Sequence, residues 1–350
     1  MVPRVTDPSA AAPSFSTPSF RRVLLPAAVF LVALFASAWL LGQRLPFPSV
    51  PAIGERFQFF AENRDHYDTI FIGSSRFRHQ IIPEEYDAHT KAGGIATRAI
   101  NLGYSGMWPP ESFYFVRQLL ALKPAQLKWV VIELMDYRYG QVDVEKPTQR
   151  TAYWHDREHT ALALRLMWEL PLPTARRVEL CVTHAWLGVR QFMHPGQGAD
   201  WLQARLMPVK KKSKLPRWAR QGGYESQEEV EPWSEGAKAS YARQVEAVRA
   251  SLSPQTLRPG FAVALREIIG EVRRAGAEPI FVIAPTIRPE ENLVTGVPED
   301  VTVFAFNRPD DYPILYEHTT HYDPGHLNEK GAREFTRLLA ERFVQQVRPR

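Results

Sequence analysis

The strongest constraint on this chain is an uncharged apolar run near its N-terminus, from Val23 to Gly42. As an α-helix, about 20 residues rise roughly 30 Å, which matches the hydrocarbon thickness of a bilayer. Arg21 and Arg22 stand directly before the run, and positive charge at this place favours the cytoplasmic side. The sequence therefore predicts one membrane-spanning helix at 23–42, preceded by a disordered cytoplasmic tail at 1–22.

Such an anchor implies a single-pass protein of the inner (cytoplasmic) membrane whose soluble domain is periplasmic or extracellular. Two alternatives stay open. Ala36-Ser37-Ala38 has the small-x-small form of a signal-peptide cleavage site, although the apolar run continues past it to Leu41. The other alternative is a buried helix of a soluble protein.

Composition excludes several classes of function. The 350 residues carry a formal charge of +5 and the pI is about 9.2, a mild excess that predicts no nucleic-acid partner. The single cysteine, Cys181, excludes an internal disulfide and any cysteine-based zinc or iron–sulfur site. Its position in an apolar helical stretch predicts a small buried side chain.

Strands and helices alternate in two parts of the chain, 66–145 and 256–350. Strands are predicted at 67–72, 97–102, 129–134 and 279–284, and helices at 111–122, 261–274 and 328–347. This alternation favours an α/β fold with a doubly wound, flavodoxin-like parallel sheet. In such sheets, active groups collect at the carboxyl ends of the strands.

Two segments do not follow the alternation. Residues 43–65 contain three prolines and are predicted to form a stalk. Residues 146–255 are predicted to be a mostly helical insertion, with helices at 161–170 and 176–193. Its two charge blocks are Lys210, Lys211, Lys212, Lys214, Arg217 and Arg220, then Glu225, Glu228, Glu229, Glu231 and Glu235. A solvated loop is the preferred interpretation of these blocks, and a site for an anionic polymer or lipid head groups is the alternative.

Three short motifs fall where this fold collects active groups. The first is GSSR at 73–76, the second is NLGYSG at 101–106, and the third is DPGH at 323–326. Serine needs a base within hydrogen-bond reach before it acts as a nucleophile. His326 is such a base if a carboxylate holds its other ring nitrogen, and Asp323 lies three residues earlier in the same loop.

In this order, the motifs resemble those of the SGNH (GDSL-type) hydrolase superfamily, over about half of the chain. Leu327, Asn328 and Gly331 also fit that resemblance. The layout is similar to that of the membrane-anchored members that assist O-acylation of cell-envelope polymers. Those members often work beside a polytopic membrane-bound O-acyltransferase, which the resemblance implies as a possible partner.

The resemblance also implies roles for single residues. Ser75 is the expected nucleophile, His326 the base and Asp323 the group that orients it. The backbone N–H groups of Ser75 and Gly106 are the expected oxyanion donors. Each motif also has a structural interpretation that stays open: a helix cap for Ser75, a turn glycine for Gly106, and a structural pair for Asp323 and His326.

One position departs from the family pattern. Asp136 stands after the third strand, where the family offers an asparagine as a further oxyanion donor. An ionised carboxylate cannot donate a hydrogen bond, and one lost donor costs on the order of 10²–10³ in rate. Arg76, Asn101 or Arg138 are the candidates to replace it. Arg76, Asp136 and Trp108 are the predicted substrate-binding residues.

The resemblance thus implies an extracytoplasmic serine esterase or O-acyltransferase that handles an acyl group, acetyl first, through an acyl-serine. Its substrate would be a cell-envelope polysaccharide or an acyl ester, and it would need no cofactor and no metal. The alternative is a non-catalytic subunit that binds glycan or a membrane-bound O-acyltransferase. Asp136 motivates that alternative.

Histidines and tryptophans elsewhere suggest other chemistry. His155 to His159 matches the H-x-x-E-H pattern of some zinc peptidases, but a charged surface turn is the preferred interpretation. The cluster of His318, His321 and His326 is a weaker candidate for a metal site than for part of a triad. Four tryptophans are candidates to stack on sugars, but packing in the core is the preferred interpretation for them: Trp108, Trp154, Trp168 and Trp218.

Overall fold

A computed structural model of the chain describes most of its length. The described residues are 20–48, 50–135, 148–206, 215–227, 233–251, 255–288 and 294–347.

A five-stranded parallel sheet forms the centre of the fold. Its strands are β1 (Thr69–Ile72), β2 (Ala99–Asn101), β3 (Trp129–Glu133), β4 (Glu278–Ile283) and β5 (Thr302–Ala305). They lie in the order β2-β1-β3-β4-β5, and every neighbouring pair is parallel. The predicted α/β, flavodoxin-like architecture is therefore confirmed. The sequence pattern had indicated the first four strands but not β5.

Helices surround the sheet and fill the segment between β3 and β4. They are α1 (Phe20–Gly42), α2 (Ile53–Asn63), α3 (Ser75–Gln80), α4 (Pro83–Ala92), α5 (Glu111–Ala121), α6 (Gln149–Tyr153), α7 (Arg157–Glu169), α8 (Thr174–Met193), α9 (Gln197–Leu206), α10 (Arg217–Arg220), α11 (Glu235–Ala250), α12 (Pro259–Arg274) and α13 (Glu329–Gln346). The described part of the predicted insertion at 146–255 thus consists mainly of α6 to α11.

The sheet separates two hydrophobic cores, because alternate side chains of a strand point to opposite faces. In β1, Ile70 and Ile72 enter the core covered by α2, α5 and α12, whereas Phe71 enters the other. The second core is covered by α3, α4, α11 and α13. All four side chains of β1 are buried, as expected of an interior strand of a parallel sheet. Ser75 therefore follows a fully buried strand.

The predicted stalk is partly incorporated into the domain. After Pro51, the chain forms α2, whose Ile53, Arg56 and Phe60 are buried against the first core. The prolines delay the helix, as expected, but they do not keep the segment away from the core. Residues 53–63 are therefore part of the folded domain and not of a stalk.

The N-terminal apolar helix stands apart from both cores. Within α1, the stretch Leu24–Gly42 is long and apolar enough to cross a membrane, and nearly all of its side chains are exposed. Its last turns contact the domain, where Ala38 is buried and the ring of Phe35 lies 5.9 Å from that of Phe192 in α8. An anchor and a signal sequence both provide a helix of this kind.

Candidate active site

The turn between β1 and α3 presents Ser75. Ser74 caps α3, since its Oγ atom accepts the N–H of Arg76 at 3.2 Å, and Ser75 is the first residue of the helix. Glu133, at the end of β3, accepts the N–H of Ser74 at 2.6 Å. Gly73 has no room for a side chain, because a Cβ atom there would lie 2.7 Å from the carboxylate of Glu133. The turn is thus fixed by the side chain of Glu133 from the neighbouring strand β3.

A short hairpin before α13 presents the other two residues. Residues 321–323 pair in antiparallel fashion with 326–327, and this register places Asp323 opposite His326. The Oδ1 atom of Asp323 also accepts the N–H of Gly325 at 2.7 Å. The two side chains therefore share one side of a tight two-residue turn.

The hairpin is fixed to the start of α13. Asn328 is the N-cap residue, and its Oδ1 atom accepts the N–H of Gly331 at 3.0 Å. The amide of Asn328 donates to the carbonyl of Thr319 at 2.9 Å. A Cβ atom on Gly331 would lie 2.2 Å from the carbonyl oxygen of Thr320, so this position requires glycine. These contacts give Asn328 and Gly331 each a structural reason for their residue type.

Ser75, His326 and Asp323 form a connected relay. The Nε2 atom of His326 lies 2.8 Å from Ser75 Oγ, and its Nδ1 atom lies 2.9 Å from each carboxylate oxygen of Asp323. An ionised carboxylate only accepts, so Nδ1 carries the proton and Nε2 is free to accept from the serine hydroxyl. The structure thus brings the three predicted catalytic residues together in the geometry that activates a serine.

The charge state of Asp323 suits this role. Partial burial raises its pKa, but the hydrogen bond and the charge of His326, with the N–H of Gly325, outweigh that effect and lower the pKa overall. Asp323 is therefore ionised at neutral pH and stabilises the imidazolium that forms when His326 takes a proton.

The second motif forms a loop against the nucleophile turn. Tyr104 donates its N–H to the carbonyl of Gly73 at 2.9 Å, and Arg78 donates to the hydroxyl of Ser105 at 3.0 Å. Gly106 follows with φ of 71°, in the left-handed region that favours glycine. The N–H of Ser75 is the other candidate donor, because the first N–H groups of a helix have no partner within it. Gly106 and Ser75 both remain predicted oxyanion donors.

Asn101 has a structural role that the sequence prediction did not include. Its amide nitrogen donates to the carbonyls of Phe77 at 2.6 Å and Ile81 at 2.9 Å, and its Oδ1 atom accepts the N–H of Gly103 at 3.0 Å. An amide has two N–H donors, and both are used here to hold the end of α3. The prediction that Asn101 serves as an oxyanion donor is therefore not supported.

Of the three predicted substrate-binding residues, the structure describes Arg76 and Trp108. Arg76 is buried, and its Nε atom donates to Glu133 at 2.7 Å. It therefore does not line an open surface, contrary to the prediction. Trp108 is half-buried in the loop after Gly106 and stays a prediction. Asp136 and Arg138 lie outside the described residues.

His79 is a site residue that the sequence analysis missed. It lies four residues after Ser75, on the same face of α3, and its ring centroid is 6.3 Å from that of His326. Its Nδ1–H donates to the carbonyl of Glu225 at 2.7 Å, which leaves Nε2 as an acceptor. Burial lowers the pKa of His79, and the positive charge of Arg78 acts in the same direction. The i, i+4 spacing from Ser75 was the available signal.

The insertion supplies one wall of the site through Glu225. Its carboxylate bridges the guanidinium groups of Arg56 and Arg78, and the Arg78 contact is 2.5 Å. Burial raises the pKa of Glu225, but the two arginines lower it overall. Just before it, Gly223 packs so closely on Asn101 that a Cβ atom would overlap the carbonyl. Glu225 is thus a structural clamp and not part of a solvated acidic loop.

Four other histidines are buried inside the protein: His155, His159, His184 and His321. His155 and His159 are buried, not on a charged surface turn as expected, and the Nε2 atom of His155 lies 2.8 Å from Nδ1 of His184. His321 is buried against the hydroxyl of Tyr241. Within the described ranges, no group of three or more histidine, cysteine or acidic side chains is arranged to hold a metal ion.

The predicted burial of the tryptophans and of Cys181 is found for some of these side chains and not for others. Trp154 is buried in the first core, whereas Trp168 is exposed. Trp218 packs over the guanidinium of Arg56, 4.7 Å from the ring centroid. Cys181 is half-buried and not fully enclosed.

A comparison with protein-family models and a search of curated proteins each found no match to this chain. The fold and the geometry alone define the class: a flavodoxin-like α/β protein with a serine–histidine–aspartate relay at the carboxyl edge of its sheet.

Proposed function

We propose that this protein is a membrane-anchored serine esterase or O-acyltransferase of the SGNH type. The observation that carries the proposal is the unbroken relay from Ser75 Oγ through His326 to Asp323. Ser75 follows β1, an interior strand of the sheet, at the carboxyl edge where flavodoxin-like folds place their active groups. No other described serine is shown in contact with a histidine that an aspartate holds.

Acyl transfer to the enzyme would begin at Ser75. As the Oγ atom attacks the ester carbonyl carbon, the Nε2 atom of His326 takes the hydroxyl proton. The tetrahedral oxyanion would be stabilised by the N–H groups of Ser75 and Gly106. Collapse breaks the ester bond, and the imidazolium of His326 returns its proton to the leaving alcohol. The product is an acyl-Ser75 ester.

The second half of the reaction would reverse these roles. His326 removes a proton from water or from a sugar hydroxyl, which attacks the acyl-serine and releases Ser75. Water gives an esterase, and a sugar hydroxyl gives an O-acyltransferase. His79 lies beside His326 with an accepting Nε2 atom, which would offer a further hydrogen bond to the incoming hydroxyl.

The cell-envelope polysaccharide is the proposed acceptor, with acetyl as the proposed acyl group. The apolar α1 would hold the domain at the outer side of the inner membrane, where such polymers are exposed. A membrane-bound O-acyltransferase beside it would supply the acyl donor. This part of the proposal rests on the layout that the sequence shares with O-acylation proteins.

A fluorophosphonate probe tests the nucleophile directly. The full chain in detergent is treated with the probe, and the modified residue is identified by mass spectrometry. We expect labelling at Ser75, loss of labelling in His326→Ala, and unchanged labelling in Ser226→Ala, which removes a serine that hydrogen-bonds to Glu329. Folded protein that is not labelled would contradict the proposal and favour the non-catalytic subunit.

A second experiment separates hydrolysis from transfer. The protein is given an acetyl ester donor, with and without an oligosaccharide of the envelope polymer, and both acetate and acetylated sugar are measured. An O-acyltransferase produces acetylated sugar at the expense of acetate, and Ser75→Ala produces neither. Acetate alone at every oligosaccharide concentration identifies an esterase.

A further inference from the structure

Helix α8 carries an apolar face that is exposed in the part of the chain that the structure describes. Val178, Val182, Trp186 and Val189 are spaced so that they share one side of the helix, and they are between 45% and 64% exposed. The opposite side is ordinary core, since Leu180 and Leu187 are buried. Soluble surfaces rarely align large apolar side chains in this way, and such patches mark interaction sites.

Helix α9 extends the same kind of surface. It follows α8 after a short turn, and its Leu202 and Leu206 are 51% and 71% exposed. The guanidinium of Arg205 lies over the ring of Trp201, 4.6 Å from the centroid. An aromatic ring paired with a cation beside exposed leucines is typical of a membrane interface. We call the six exposed side chains Val178, Val182, Trp186, Val189, Leu202 and Leu206 the α8–α9 apolar face.

The junction of α8 and α9, next to this face, contacts α1. Phe192, at the end of α8, packs against Phe35 with ring centroids 5.9 Å apart. His194 lies against Gly42, the last residue of α1, and Leu41 lies against Gly198 at the start of α9. The junction of α8 and α9 therefore lies beside the last turns of the proposed membrane span.

The position of Phe35 sets the depth of the contact. It lies seven residues before the end of α1, which corresponds to roughly 10 Å along the helix axis. Helices that lie flat in a membrane interface bury their apolar face about 5–10 Å below the head groups. If α1 spans the bilayer, the end of α8 is therefore already at the depth of the interface.

The charges around the face match a lipid surface. The described part of α8 and α9 carries the arginines Arg176, Arg177, Arg190 and Arg205, against the carboxylates of Glu179 and Asp200. A net positive helix pair next to exposed valine, leucine and tryptophan is attracted to anionic head groups as well as to acyl chains.

We propose that the α8–α9 apolar face lies in the outer interface of the same bilayer and binds anionic phospholipid. The inference rests on the proposed membrane span and adds a second attachment to it. A single membrane-spanning helix would let the soluble domain change its orientation relative to the bilayer, whereas a second attachment through this face fixes that orientation. The relay of Ser75 would then be held at a constant distance from the membrane surface.

Lipid-dependent quenching tests this proposal in the full chain. In a Cys181→Ala background, a single cysteine replaces Val182 on α8, Val32 on α1 or Lys330 on α13, which covers the opposite face of the sheet. Each cysteine carries an environment-sensitive fluorophore, and the protein is reconstituted in phosphatidylethanolamine–phosphatidylglycerol vesicles with spin-labelled acyl chains. Trp186→Cys is a second α8 variant.

We expect strong quenching at positions 32, 182 and 186 and several-fold weaker quenching at position 330. Quenching at 32 without quenching at 182 and 186 overturns the proposed face but leaves the membrane span intact. Absence of quenching at 32 shows that the span itself is wrong. A last comparison measures how fast the cysteines at 182 and 186 react with a water-soluble thiol reagent. Slow reaction in native membranes but fast reaction in the lipid vesicles overturns lipid binding and assigns the face to a membrane protein.

Discussion

The Nε2 atom of His326 lies 2.8 Å from the Oγ atom of Ser75, although the two residues are 251 positions apart in the chain. Each is placed independently of the other. Ser75 is placed by the end of β1 and the carboxylate of Glu133, and His326 by the hairpin that Asn328 ties to α13. Two separately anchored loops that meet at hydrogen-bond distance are the arrangement that a nucleophile and its base require.

The first prediction concerns Asp323→Asn. An asparagine retains the size of the side chain but removes the negative charge and favours the wrong tautomer of His326. We expect the rate of Ser75 labelling by a fluorophosphonate, and any esterase turnover, to fall roughly 10²–10⁴-fold. Labelling kinetics measure the effect.

Lys330→Gln is the matched control for Asp323→Asn, because Lys330 is exposed on α13 near the hairpin and makes no contact with the relay. Its labelling rate should equal that of the original chain. A labelling rate of Asp323→Asn within a few-fold of the original would show that the Asp323–His326 pair is structural.

Much of the fold could be predicted because its signals are local. The segment 129–134 is a nearly continuous apolar run, and burial on both faces of a parallel sheet requires such a run. Asp323 and His326 were predicted as a pair because both lie in one four-residue loop. Ser75 was assigned through its motif and its place after a strand.

The rest of the site depends on contacts between distant segments. Glu225 belongs to an acidic run that predicts a solvated loop, yet 147 residues separate it from Arg78, which it binds. The sequence shows only that Asn101 begins the second motif, and this position suggests an oxyanion donor. Its two donors are occupied by carbonyls at the end of α3, 24 and 20 residues earlier. Only the folded backbone reveals such partners.

The second prediction concerns Glu133→Gln. The carboxylate accepts from the N–H of Ser74 and from Arg76 Nε, whereas glutamine offers one acceptor and turns its NH₂ group towards a donor. Removal of one partner from a buried ion pair costs about 3–5 kcal/mol of unfolding free energy. We expect this loss in urea unfolding, together with slower labelling of Ser75.

The double variant Glu133→Gln/Arg76→Gln is the control for this effect. It removes both charges of the pair, so it should recover part of the stability while Ser75 labelling stays slow. Equal unfolding free energies for Glu133→Gln and the original chain would show that the pair does not support the turn.

The third prediction separates a structural Asn101 from a catalytic one. Asn101→Ala leaves the carbonyls of Phe77 and Ile81 and the N–H of Gly103 without this partner, at about 1–3 kcal/mol for each buried group. We expect a loss of several kcal/mol in urea unfolding. Original stability combined with a rate loss of about 10²–10³ would instead indicate an oxyanion donor.

The last prediction concerns the buried pair of His155 and His184. The Nδ1–H of His155 donates to the carbonyl of Thr151 at 2.6 Å, so its Nε2 atom accepts from His184. This contact requires a neutral His155, because protonation would put a second N–H on Nε2, facing the N–H of His184. Burial lowers the pKa of His155 to about 3 and that of His184 to about 4, against 6.5 in an unfolded chain. Between these values the unfolded state binds more protons, so the stabilisation is complete above about pH 6.5 and is lost as the pH falls towards 4 and 3. The slope is at most about 1.4 kcal/mol per pH unit for each ring. Urea unfolding of the full chain in detergent from pH 7 to pH 4 measures it, and a His155→Gln/His184→Gln double variant should flatten the curve. An unchanged slope in that variant would assign the acid sensitivity to other groups.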